Sequence, residues 1–182
     1  TVTGAHAYAD DGSYTAGVSV AHDSAPVAGA NVAVAVSDPS VLAVGGLNLA
    51  ASEGAALGTP VLATFTDPGG AEPVGDYSAV VNWGDGATSA GTINYLGNGN
   101  FTVTGGHTYA EEGADIASVT IQHDGTAAVT VNSIVTVSDP AVVVTAASGL
   151  SATEGAAGAF ALASFTDLAG AETAGDYQAT IN

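Results

Sequence analysis

The sequence predicts an all-β protein made of tandem sandwich repeats of about 100 residues. Three observations carry that reading. Short β-branched runs alternate with Gly, Asn, Asp and Pro punctuation, no segment keeps a helical period, and one block of sequence returns at a fixed distance along the chain.

The repetition is direct. Thr1-Val2-Thr3-Gly4-Ala5-His6-Ala7-Tyr8 returns as Thr102-Val103-Thr104-Gly105-Gly106-His107-Thr108-Tyr109, an offset of 101 residues. The same offset relates His22-Asp23 to His123-Asp124, Ser37-Asp38-Pro39 to Ser138-Asp139-Pro140, and Glu53-Gly54 to Glu154-Gly155. One deletion shortens it to 100, pairing Phe65-Thr66-Asp67 with Phe165-Thr166-Asp167 and Gly75-Asp76-Tyr77 with Gly175-Asp176-Tyr177. Residues 41–140 are therefore expected to form one complete β-sandwich repeat. Residues 1–40 read as the second half of a preceding repeat and 141–182 as the first half of a following one; the counterpart of residues 83–101 occurs nowhere else.

Within the complete repeat, strands are expected in order near 47–51, 60–66, 77–83, 89–95, 101–104, 117–123 and 127–137. Gly84-Asp85-Gly86, Gly97-Asn98-Gly99 and Asp124-Gly125 supply turns that need positive φ. Val119-Thr120-Ile121 and Val129-Thr130-Val131 alternate, so Val and Ile should face a core and Thr the solvent. Seven strands in about 100 residues is the density of an immunoglobulin-like sandwich.

Composition narrows the function classes. Hydrophobic residues make up 47% of the 182, mostly Ala and Val, which suits small, thin cores. There are 18 Asp and Glu, no Lys or Arg, and a formal net charge of −18. Such a chain has no basic side chain with which to neutralise phosphate, so nucleic-acid binding and attraction to anionic lipid are both disfavoured. Its carboxylates must be solvated, cap backbone donors or hold cations, and Ca²⁺ prefers carboxylate oxygen. The absence of Cys removes disulfides and thiolate metal sites. No apolar run is long enough for a membrane span and no leader pattern occurs, so the chain reads as mature material or an internal excerpt.

Asn82-Trp83-Gly84-Asp85-Gly86, followed by Gly106-His107-Thr108-Tyr109 and Gly113, resembles the polycystic-kidney-disease (PKD) type domain pattern. The stretch from Phe65-Thr66-Asp67 to Asp76-Tyr77 is similar to repeats of very large bacterial surface or secreted proteins of the adhesin type. Ala114-Asp115-Ile116 departs from the Thr-Tyr usual after that Gly, whereas Gly12-Ser13-Tyr14-Thr15 keeps it. The resemblance implies tandem immunoglobulin-like (PKD-like) β-sandwich repeats and a secreted spacer, stalk or adhesive role.

Candidate chemistry is sparse. His6, His22, His107 and His123 recur with the repeat, as structural residues do, and no nucleophile elbow or cofactor loop is present. Tyr109 and Tyr8 fit a tyrosine corner, and Trp83 fits a core anchor. Asn100-Phe101-Thr102 spells an N-glycosylation acceptor, a triplet common by chance. Glu53, Asp67, Asp76 and Asp85 are the calcium candidates, on the expectation that they converge at one end of a sandwich; no other cofactor is expected.

The expected function is a non-catalytic structural repeat of an extracellular or cell-surface fibre, sheath, stalk or giant adhesin. A carbohydrate-binding module and a spacer domain of a secreted hydrolase are the alternatives. Partners are expected to be neighbouring repeats or copies of the chain itself, head to tail, with surface glycans or other cells as further targets. No nucleic acid and no membrane insertion are expected. Half a sandwich exposes apolar faces and open edges, so each end segment should be completed by continuing chain or by another copy.

Overall fold

A computed structural model describes residues 1–182 and is all-β. The strands are β1 (Gly12–Val20), β2 (Ala28–Val36), β3 (Leu42–Val44), β4 (Asn48–Ser52), β5 (Val61–Thr66), β6 (Tyr77–Asn82) and β7 (Thr88–Ala90). They continue with β8 (Thr92–Gly97), β9 (Asn100–Thr104), β10 (Gly113–His123), β11 (Val129–Ser138), β12 (Val143–Ala146) and β13 (Ala163–Thr166). A 3-10 turn at Val74–Asp76 is the one helical element, and no helix is long and apolar enough to cross a membrane.

Two sheets share the central core. One has the order β4-β11-β10-β6-β7 and the other β3-β5-β9-β8; all neighbours are antiparallel except β4 and β11, which run parallel. Neither sheet closes into a barrel, and their packing is consistent with a β-sandwich. Strand parity selects the core. In β6, Tyr77, Ala79 and Val81 are buried while Ser78, Val80 and Asn82 face out; in β10, Ala117, Val119, Ile121 and His123 are buried. From the opposite sheet come Leu62, Phe65, Phe101 and Val103, with the Phe65 and Phe101 rings stacked at 4.7 Å. Trp83 is 1% exposed, and the Tyr109 hydroxyl donates to the Trp83 carbonyl at 3.1 Å, tying the chain before β10 to the end of β6. Burial pushes that hydroxyl up to about 12, so it remains a donor.

The expected strand at 89–95 is two strands in different sheets. β7 pairs with β6, and after Gly91 the chain crosses to the other sheet, where β8 pairs with β9. A Cβ on Gly91 would lie 2.6 Å from Val103 Cγ1 and 3.0 Å from the Ala79 Cβ, so the crossing needs a residue without a side chain. A similar crossing at Gly45-Gly46 separates β3 from β4. β3 itself was outside the expected strands.

The two end segments form separate hairpins whose register copies that of the centre. Gly12 opposes Val36 in β1–β2 as Gly113 opposes Val137 in β10–β11, and Val143 opposes Thr166 in β12–β13 as Leu42 opposes Thr66 in β3–β5. Each end hairpin is a sheet of only two strands, and apolar side chains such as Val32, Val144 and Phe165 stand exposed.

Candidate functional site

The acidic side chains gather at opposite ends of the long strand β10. The first cluster surrounds His123, the last residue of β10, which strand parity turns inward to full burial. His123 Nε2 lies 3.0 Å from Glu72 Oε2 and 3.6 Å from Asp124 Oδ2. Its Nδ1 lies 2.7 Å from Asp38 Oδ2 and 3.5 Å from Asp67 Oδ2. The Asp38 contact is short enough for an ion pair but off the line of a hydrogen bond, so neither atom has an aligned partner. Tyr77 stacks on the imidazole at 4.3 Å and donates its hydroxyl to Asp67 Oδ2 at 2.6 Å. Gly69 N–H donates to the other Asp67 oxygen at 2.8 Å, and Glu72 N–H donates to the Tyr77 hydroxyl at 3.1 Å.

Electrostatics decide the state of this cluster. Burial disfavours the imidazolium, but the Glu72 hydrogen bond and the charges of Asp38 and Asp67 outweigh it and raise the His123 pKa above its ordinary value. Burial raises Asp38 as well, against the pull of His123. Burial and the bond to Asp67 push the Tyr77 hydroxyl far up, leaving it a permanent donor.

The second cluster lies beyond the Gly113 end of β10, roughly 33 Å away at 3.3 Å per strand residue. Glu53 follows β4, Asp139 follows β11, and Glu172 belongs to the segment after β13. One carboxylate oxygen from each falls within 4.8 Å of the other two. Burial and the charges of Glu112 and Asp139 raise Glu53; burial and the charges of Glu53 and Asp139 raise Glu172.

The four sequence-derived calcium candidates do not form one site. Glu53 belongs to the second cluster and Asp67 to the first, at opposite ends of the strands, while Asp76 and Asp85 belong to neither. Asp76 closes the 3-10 turn, its N–H bonded to Pro73 O and its carbonyl accepting from Asp124 N–H. Asp85 accepts from Ala87 N–H at 2.9 Å, and its Oδ2 lies 2.6 Å from His107 Nε2. Burial would raise Asp85, but His107 and the Ala87 amide bring it below its ordinary value. His107 stacks on Trp83 at 5.0 Å, so it supports the edge of the core through its side chain. Asp38, Glu72, Asp139 and Glu172 were missed. The signal that could have found Asp38 and Asp139 was their recurrence as Ser-Asp-Pro at an offset of 101 residues.

No family model matches the chain, and no curated protein matches it. Among solved structures it is similar to the crystal structure of the S-layer protein rSbsC(31-844), at 14% identity and a TM-score of 0.27. The match covers 87% of this chain and 25% of that one, so the chain spans a quarter of the S-layer protein's length.

Proposed function

We propose that this chain is a stretch of a non-catalytic, extracellular, tandem-repeat protein whose immunoglobulin-like, PKD-like units serve as a structural stalk, sheath or adhesive fibre. One observation carries the reading: the strand-pairing register of each end hairpin repeats that of the central unit at offsets of 101 and 100 residues. A sequence that repeats its register repeats its fold, and units joined through the ends of their strands stack in a line. In this reading the units are 1–40, 41–140 and 141–182, and the exposed apolar faces of the first and last are covered by neighbouring units of the same chain or of another copy. The inward turn of Trp83, Tyr77 and Tyr109 favours this role over glycan binding, which needs aromatic rings on an outer face.

Small-angle X-ray scattering on chains of two, three and four repeats tests it. The maximum dimension should grow by a constant step per repeat while the cross-section stays unchanged. A maximum dimension that grows only as the cube root of chain length would mean a globule and end the stalk reading.

A further inference from the structure

The two acidic clusters are two incomplete views of one junction. Asp38 of the first corresponds to Asp139 of the second, Glu72 to Glu172 and Asp67 to Asp167. The local geometry agrees: Tyr177 donates to Asp167 Oδ2 at 2.7 Å, Ala169 N–H to Asp167 Oδ1 at 3.0 Å and Glu172 N–H to the Tyr177 hydroxyl at 2.9 Å, the same three bonds made around Asp67. What the second view adds is Glu53, contributed by the preceding unit. Glu53 N–H is bonded to Ser138 O at 3.0 Å. Gly54, at φ +66°, packs so tightly on the next unit that a Cβ there would stand 2.5 Å from Ala169 O.

Glu53 is 4% exposed, yet its Oε2 has no hydrogen-bond partner, and neither does Oε1 of Glu172 facing it. A buried, unpartnered carboxylate oxygen is costly, and this chain holds no Lys or Arg to answer it. The one base of the equivalent first cluster, His123, engages Glu72 through Oε2, the oxygen of Glu172 that is not the orphan here. The three oxygens lie close enough for one ion, because ligands about 2.4 Å from a Ca²⁺ centre can be no more than twice that distance apart. Asp139 is exposed, which leaves an open side for water to complete the coordination shell.

We propose that Glu53, Asp139 and Glu172 hold a divalent cation, calcium by the hardness of its donors, that locks each repeat to the next. The donors come from both sides of the junction: Glu53 and Asp139 from one unit, Glu172 from its successor. The ion therefore ties the two units together, and because it needs both of them folded it raises the apparent stability of the pair. The proposal rests on the array reading but fails separately from it, since scattering in chelator tests the array without the ion. A proton is the rival ligand. Glu53 and Glu172, facing Glu111, Glu112, Asp139 and Asp167, have raised pKa values. Their contribution is present below the ordinary glutamate pKa and lost as pH rises through the raised one, which leaves an unanswered repulsion at neutral pH.

Isothermal titration of the whole chain with CaCl2 at pH 7.5 and low salt, with thermal melts in parallel, tests the assignment. Wild type should bind one ion at this junction, and Glu53→Gln and Glu172→Gln should each weaken it at least tenfold, while Asp76→Asn leaves it unchanged. In EDTA, Glu53→Gln should melt no lower than wild type, because it removes repulsion; in Ca²⁺, only wild type should gain. Three results would overturn the proposal: no heat up to millimolar Ca²⁺, equal binding by both Gln variants, or a signal removed by His123→Gln and not by Glu53→Gln. The last would place the ion in the His123 cluster.

Discussion

His123 is buried by the parity of its strand. Counting by twos from Ala117 through Val119 and Ile121 puts it in the core, and an imidazole there needs counter-charges. Asp38, Asp67, Glu72 and Asp124 supply them, and all lie at the end of the sheet where the preceding segment enters. Because its folded pKa is raised, His123 contributes stability in full below the ordinary histidine value of about 6.5, and loses it as pH rises through the folded value. Asp38, also raised, changes in the same direction at lower pH. Urea midpoints measured between pH 6 and 9 should therefore fall with pH in wild type. In His123→Gln the slope over that window should flatten; a slope identical to wild type would remove His123 as its source.

At the scale of elements, β7 and β8 show what one residue can decide. Hydrophobic patterning in 89–95 reads as a single strand, but Gly91 lies against Val103 and Ala79 where the chain passes from one sheet to the other. Gly91→Ala forces a methyl into that crossing and should cost about 1–3 kcal/mol, the range for overpacking a core. Gly125→Ala is the matched control: its Cβ would meet nothing within 4 Å, so a change within about 0.5 kcal/mol is expected. Chemical denaturation of the two variants checks both values, and equal stability would mean that the crossing relaxes around the methyl.

The whole molecule is dominated by charge of one sign. A net charge of −18 with no Lys or Arg keeps copies apart at neutral pH, while exposed apolar side chains on the end hairpins offer surface for association once repulsion falls. Light scattering should therefore rise as pH is lowered from 7 toward the sequence pI of about 4.1, and rise less in a chain whose end hairpins are flanked by further repeats. Scattering that stays flat across this range would show that self-repulsion is not what keeps the chain dispersed.

Much of this architecture is legible in the chain before folding. The repeat, its offset, the alternation of β10 and β11 and the inward Trp83 all follow from local pattern, because a strand's two faces are written at every second residue. Patterning could also say that 18 carboxylates without a base must find another partner, and it offered Glu53 as one such residue. It could not say which carboxylates meet. Glu53, Asp139 and Glu172 are far apart in sequence, and Asp67 joins Asp38 and His123 at the other end of β10. Those meetings depend on where two sheets end and on how the segment after β13 packs against the end of β4 and β11. The sheet switch at Gly91 is equally invisible locally, since a strand that changes partners keeps its alternation and only the neighbour that packs on it shows the crossing. Composition and period thus determined the all-β fold class, and the long-range packing of strand ends decided which of its acids stand together.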